Sequence, residues 1–421
     1  MDYDFATLDF SDDSEAARAR ISGWLGAVQR GFHSGRPDAE FEKNWLAHVA
    51  ADGVVCRGAW LPPDAFGAGP VPVATFASFD KTLNAGHELL PLRMVTDVTA
   101  SPAHRRRGLV RRLMEDDLAD AAAAGIPVVA LTASEATIYG RWGFGAATFA
   151  QKVEVDTGPR FGLRDFTDPG RVELIEPPES WEIIKDVFDR FHAVTRGSVD
   201  WPQFYETLHT GAYNFDDGGP DKKLRGAVHL DADGAVDGFA LYKSEGSGDD
   251  RKIEVAEMAA LTTAAGLALW EFLGGIDMVK KVTFGLADPD DPLRWALTDI
   301  NAVTYKAIEE FLWVRILDVE TALAARPWSA DGQVVLAVDD TQGYAAGHFR
   351  IVSEQGRAKV TRTDDPAEIT LDAETLGSLY LGGANASALN RAGRLHGNES
   401  AVARFAQMAD LAVPPYNITG F

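Results

Sequence analysis

Residues 95–113, VTDVTASPAHRRRGLVRRL, decide how this chain folds. An apolar strand over 92–98 runs into a basic turn that contains Gly108. A helix over 108–124 then carries Leu109, Leu113 and Leu118 on one side. A strand dense in Val and Leu follows at 126–132. Strand, long helix, strand predicts parallel strands at the centre of a sheet. The turn and first helical turn hold five arginines, Arg105, Arg106, Arg107, Arg111 and Arg112, in a chain of net charge −23. Free backbone N–H groups and the dipole of a helix start favour an anion, and Gly108 lets the backbone come close to it. The segment reads as a pyrophosphate cradle, against the plainer alternative of a solvated basic helix start. Neither GxxxxGK[ST] nor GxGxxG is present.

Upstream, the pattern predicts a strand at 5–10, a helix at 14–29 capped by Ser11, a helix at 38–49, and strands at 54–60 and 71–78. Downstream come a short helix at 135–142 and a strand at 148–155. Residues 156–170, DTGPRFGLRDFTDPG, read as a linker. A second series follows: a strand at 171–175, a helix at 181–195, strands at 224–230, 238–244 and 253–261, a helix at 264–273 and a strand at 281–284. This resembles a weaker copy of the first unit. Its counterpart of the basic loop, Thr262-Thr263-Ala264-Ala265-Gly266, has no Arg or Lys. From about residue 307 the order suggests a small α+β unit: strand-like runs at 313–319 and 333–338, a hairpin over 348–361, a strand at 369–371, and helices. The chain ends in VPPYNITGF, held extended by its prolines.

The chain has 421 residues, a prior of nearly three domains. Hydrophobic content of 46% excludes wholesale disorder. An excess of 63 Asp and Glu over 40 Lys and Arg repels phosphate backbones, so no nucleic-acid partner is expected. The same charge attracts a polycationic small molecule or a basic protein segment, although its plainest effect is solubility. Cys56 is the single cysteine and lies in an apolar run, so it is expected as a buried core thiol. The acidic N-terminus has no apolar signal segment, and 258–273 is too short and polar to span a bilayer. The histidines are scattered without HExxH, and no metal site is expected.

Arg105-x-x-Gly108-x-Val110 after a strand resembles the Q/R-x-x-G-x-G/A motif of the GNAT acetyltransferases, with Val at the last position where Gly or Ala is usual. Tyr139-Gly-Arg-Trp-Gly143-Phe144 looks like the GNAT Y-x-x-x-G-F region. HRRRGL, SE-x-x-IYGR-x-G, LGSLYLG at 376–382 and a terminal Phe421 together resemble the Eis (enhanced intracellular survival) family. The resemblance implies an α/β and α+β chain of two tandem GNAT-like domains, the second degenerate, followed by a sterol-carrier-protein-like C-terminal domain. The corresponding regions are 1–157, 158–306 and 307–421. It also implies a homo-oligomer, a hexamer, that uses acetyl-CoA as cosubstrate; a single cysteine, which allows no internal disulfide, fits a reducing, cytoplasmic compartment.

By the same resemblance, the backbone at Val98, Thr99 and Ala100 pairs with the pantetheine and acetyl group. Arg106, Arg107, Gly108, Leu109, Val110 and Arg111 hold the pyrophosphate, and Ser134 and Glu135 touch the CoA arm. Tyr139 is the general acid: a phenol of pKa near 10 is protonated at neutral pH and can donate to a thiolate. The Phe421 carboxylate is the base that draws a proton from the attacking amine. Gly420 stands where an acidic residue is expected. Phe32, Trp45 and Asp97 are candidates for the substrate pocket. The substrates implied are amines of aminoglycosides, polyamines or lysine side chains. Two other classes compete: a lipid or hydrophobic-ligand carrier using the C-terminal domain, and a binding protein with an inactive GNAT domain. The first is distinguished by whether the terminal segment runs back to the first domain.

Overall fold

The computed structural model describes residues 2–133, 135, 137–215 and 218–421, arranged on three sheets. In the first, β1 (Asp4–Thr7), β2 (Val55–Trp60), β3 (Ala74–Asn84) and β4 (Leu89–Ala100) form an antiparallel meander, and β5 (Val128–Thr132) adds in parallel to β4. Helices α1 (Glu15–Gly31) and α2 (Ala39–Asp52) separate β1 from β2, and α3 (Leu109–Ala123) makes the crossover from β4 to β5. Leu109, Leu113, Met114 and Leu118 bury the inner face of α3 against Val95, Val129 and Leu131. The cap of α1 is Ser14, not Ser11: its extended backbone aims the hydroxyl at Ala17 N–H, 3.2 Å away. Ser11 instead bonds Asp9. Of the helix expected over 135–142, residue 136 lies outside the described residues, and the described part forms a 3₁₀ turn, Tyr139–Trp142, closed by Gly143 at φ +78°.

The second sheet repeats this plan. After β6 (Gly145–Ala146) and β7 (Phe149–Asp156), the strands β8 (Arg171–Ile175), β9 (Arg225–Leu230), β10 (Val236–Glu245) and β11 (Lys252–Ala260) are antiparallel neighbours, and β12 (Lys281–Ala287) is parallel to β11. Helices α4 (Trp181–Val194) and α5 (Phe204–His209) precede β9, and α6 (Thr263–Gly274) crosses from β11 to β12.

Two strands lie outside the sheets that a linear division gives them. β7, which follows the first unit's elements, pairs with β12 and with β13 (Val303–Glu310) in the second sheet. β14 (Leu312–Ile316), expected with the third unit, lies between β5 and β6 in the first. All five residues of β14 are buried, so the strand is stable only with neighbours on both edges and both faces. The strand also stops before Val319, where a helix begins with Asp318 as its cap.

The third sheet runs β17 (Arg357–Arg362), β16 (Gly347–Glu354), β15 (Gly332–Asp339), β18 (Ile369–Asp372) and β19 (Leu395–Gly397). The helix Ala373–Tyr380 packs so closely on the first sheet that a Cβ at Gly377 would stand 2.3 Å from the Val314 carbonyl oxygen. Leu92, Met94 and Ala130 of the first sheet share one apolar core with Leu336, Phe349 and Phe405 of the third unit. Cys56 is fully buried. No helix among the described residues is long and apolar enough to cross a membrane.

Candidate active site

The parallel ladder of β4 and β5 stops at Val95 opposite Leu131. Among the described residues, β4 continues to Ala100 with only β3 beside it. The cause is a bulge: Thr75 faces Thr99 and Ala77 faces Thr96, so Asp97 and Val98 together oppose Phe76. Asp97 sits at φ +53°, and its carbonyl accepts the Thr75 hydroxyl at 2.7 Å. The extra residue bends β4 away from β5 and leaves the far edge of 96–100, with Val98, Thr99 and Ala100, free of a strand partner. That edge is the type of surface an extended amide chain can pair with.

The basic turn lies at the end of this edge. Gly108 is the residue before α3, at φ +78°, with no side chain capping the helix. The first helical bond runs from Arg112 N–H to the Gly108 carbonyl at 3.0 Å, so the N–H groups of Leu109, Val110 and Arg111 face the turn unused. A Cβ on Gly108 would meet nothing within 4 Å. Leu109 is buried and Val110 half-buried, while Arg105, Arg106, Arg107 and Arg111 are exposed. Among the described residues none of these four forms an ion pair, whereas Arg112 pairs with Asp116 and lies 4.1 Å over the Phe5 ring. Uncapped N–H groups, open space and four free guanidinium groups suit a pyrophosphate. At α6 the corresponding turn is closed: Thr262 accepts Ala265 N–H at 3.1 Å and donates to Asp237 at 3.0 Å.

Tyr139 lies on the α3 side of the sheet, 8% exposed, its ring edge-on to Phe144 at 6.2 Å. Burial, and then the charge of Glu135, raise its phenol above the ordinary value. Glu135 itself is exposed, and Ser134 lies outside the described residues.

The chain end enters from the opposite side. Residues 415–419 are buried against the second unit. Tyr416 N–H donates to the Arg196 carbonyl at 2.9 Å, and Asn417 Oδ1 accepts Val199 N–H at 3.2 Å. The Thr419 hydroxyl donates to the Val199 carbonyl at 2.6 Å. Phe421 then reaches the first sheet. Its ring is edge-on to Phe79 at 6.4 Å, and a terminal oxygen accepts the Thr132 hydroxyl at 2.6 Å. Thr132 is the last residue of β5, just past the point where β4 and β5 part.

The three pocket candidates fare differently. Asp97 lies in the bulge, half-buried, and desolvation pushes its carboxyl up to about 6. Phe32 ends α1 and is 48% exposed. Trp45 stacks on Trp24 at 5.5 Å and meets Phe10 at 6.1 Å, inside the packing of α1, α2 and β2. Sequence patterns missed Thr132 and Tyr205, which both touch the terminal dipeptide. Neither carries a local signal, because each is selected by a partner at least 215 residues away.

Comparison with known proteins agrees with this architecture. Residues 15–147 and 194–316 each match a family described as an acetyltransferase (GNAT) domain, and 319–417 match a sterol carrier protein domain. The chain is 34% identical over 404 residues to an uncharacterized N-acetyltransferase of Streptomyces avermitilis, covering 93% of each. It is 33% identical over 370 residues to the N-acetyltransferase Eis of Mycobacterium tuberculosis, covering 86% of this chain and 87% of that protein. The crystal structure of Eis1 from Mycobacterium abscessus superposes with a TM-score of 0.83 at 28% identity, over 100% of both chains. A GCN5-related N-acetyltransferase from Anabaena variabilis, 18% identical over 99% of this chain and 100% of its own, shares the fold with a TM-score of 0.81.

Proposed function

The chain belongs to the Eis family of GNAT N-acetyltransferases, and from that premise we propose that it moves the acetyl group of acetyl-CoA to a primary amine of a cationic substrate by direct attack. In this reading 1–157 is the catalytic unit, 158–306 the degenerate one and 307–421 the sterol-carrier-like unit, with β7 and β14 exchanged across those lines. The observation that carries the proposal is the position of the terminal carboxylate, held by Thr132 at the mouth of the opening between β4 and β5.

Arg105, Arg106, Arg107 and Arg111, with the N–H groups that begin α3, hold the pyrophosphate. N–H groups on the free edge at Val98, Thr99 and Ala100 pair with the pantetheine and polarise the thioester carbonyl. Glu135, with Ser134, borders the CoA arm. The Phe421 carboxylate takes a proton from the substrate ammonium, directly or through a water. The neutral amine forms the new C–N bond, the C–S bond breaks, and Tyr139 gives its proton to the departing sulfur. The raised phenol keeps that proton at neutral pH. A net charge of −23 and Asp97 beside the opening favour a cation: an aminoglycoside, a polyamine or a lysine side chain. The assembly is a cytoplasmic homo-oligomer, a hexamer by family resemblance.

The carrier reading requires the third unit to act alone, whereas its tail leaves that unit and ends on the first sheet. Free-thiol release from acetyl-CoA, followed with an aminoglycoside, a polyamine and a lysine peptide, tests the proposal. Binding of acetyl-CoA without amine-dependent thiol release from any of them refutes it.

A further inference from the structure

One residue before the terminal carboxylate, the Gly420 peptide is gripped from the second unit. The Tyr205 hydroxyl accepts Gly420 N–H at 2.7 Å and donates to the Gly420 carbonyl at 3.2 Å. We propose that Tyr205 is a positioning residue for acetyl transfer: its hydroxyl clamps the Gly420 peptide and so sets where the Phe421 carboxylate stands. The inference rests on the reading of that carboxylate as the base.

Gly420 is the place where the chain end would otherwise wander. It has no side chain to pack, and a Cβ there would find its nearest neighbour, the Phe311 ring, only at 3.7 Å. Glycine also samples backbone angles closed to other residues. Behind it, Thr419 and Asn417 are bonded to Val199. Ahead of it, Thr132 alone among the described residues bonds the carboxylate. One phenolic hydroxyl satisfies both backbone polar groups of the intervening residue, one from each of the two peptide bonds that flank its α-carbon.

The hydroxyl is itself held still. Tyr205 is buried, its ring parallel to Trp201 at 5.1 Å and edge-on to His209 at 5.0 Å. Trp201 stacks in turn on Phe188 at 3.6 Å, and His209 Nε2 lies 3.2 Å from Glu257. Burial, and then the Glu257 charge, push the Tyr205 phenol up, so it remains a donor as well as an acceptor. Thr132 and Tyr205 thus hold the last two residues from the two GNAT-like units. The second unit, whose own helix start is closed by Thr262, contributes a fixed hydroxyl to the first unit's chemistry.

The test is Tyr205→Phe, which keeps the ring stack and removes the hydroxyl, in the full-length enzyme. Displacing a reacting group by about 1 Å costs roughly 100-fold in rate, so kcat at pH 7 is expected to fall about 10- to 100-fold. Acetyl-CoA affinity should be unchanged, which also certifies the fold. The deficit should shrink as pH rises through the substrate amine's pKa, because a neutral amine needs no base. Wild-type kcat in Tyr205→Phe, with the Phe421 deletion inactive, overturns the clamp and leaves the base standing. A deficit independent of pH overturns it as well. Full activity of the Phe421 deletion alone refutes the base itself, a result separable from the others.

Discussion

Gly108→Asp separates binding from folding at the cradle. Gly108 has φ +78° and ψ 6°, and its Cβ would point into open space. The substitution therefore causes no clash. Its cost is backbone strain of about 1–2 kcal/mol for a left-handed residue, a conformation Asp tolerates better than most. The side-chain caps Ser14, Asp38, Thr262, Asp318 and Asp372 have extended backbones. Asp at 108 in the left-handed region lacks their capping geometry, but its charge at the helix start returns about 0.3–1 kcal/mol. Net stability should change by at most about 2 kcal/mol. Binding should change far more. The carboxylate would stand where Leu109, Val110 and Arg111 N–H groups are free, and a charge-assisted hydrogen bond is worth about 1.5–3 kcal/mol. Losing two gives roughly 100-fold to 10⁴-fold weaker binding at about 1.4 kcal/mol per decade. Titration calorimetry with acetyl-CoA reads the affinity and urea denaturation reads the fold. Gly108→Ala is the control, with similar strain and no charge, and should bind better than Gly108→Asp. If Gly108→Asp binds within threefold of the unaltered protein, the cradle is misassigned.

Tyr139→Phe should lower turnover by about 10²- to 10⁴-fold with acetyl-CoA affinity unchanged, because the ring retains its contacts with Trp142 and Phe144; turnover within a few-fold of the original makes Tyr139 structural. Deleting Phe421 moves the terminal charge back by at most about 3.6 Å and removes the Thr132 bond, so acetylation should be lost while CoA binding persists. A C-terminal tag should do the same and an N-terminal tag should not; full activity of the C-terminally tagged enzyme would contradict the role given to the carboxylate. Asp97 has a folded pKa raised to about 6 from an ordinary 3.8, so it favours the folded state below about pH 4 and that contribution is lost as pH rises through 6. Asp97→Asn should therefore gain stability relative to the parent between pH 4 and 7, read from urea midpoints; a pH-independent difference would show that Asp97 is not desolvated.

Local pattern was enough for the first unit's central motif. The apolar run before residue 98, the basic turn and the inward leucines of α3 state strand, cradle and helix in consecutive residues, because a helix start and its glycine are short-range features. The absence of Arg or Lys at 262–266 likewise marked the second unit as different, and the structure adds that Thr262 closes that turn with its own side chain. Sheet membership was not legible. β14 reads as a buried strand wherever it lies, and nothing within its five residues selects β5 and β6 as neighbours over the third sheet. The same holds for Trp45, whose aromatic ring suits a pocket wall or a core and whose half-buried packing against Trp24 and Phe10 is set by residues distant in sequence. The chain end is the sharpest case. Its prolines and terminal phenylalanine foretell an extended, anchored segment, but Thr132 and Tyr205 are 289 and 215 residues from their partners. Hydrogen bonds act over about 3 Å in space and carry no trace along the sequence, so only the packing of the units decided which hydroxyls hold the last two residues.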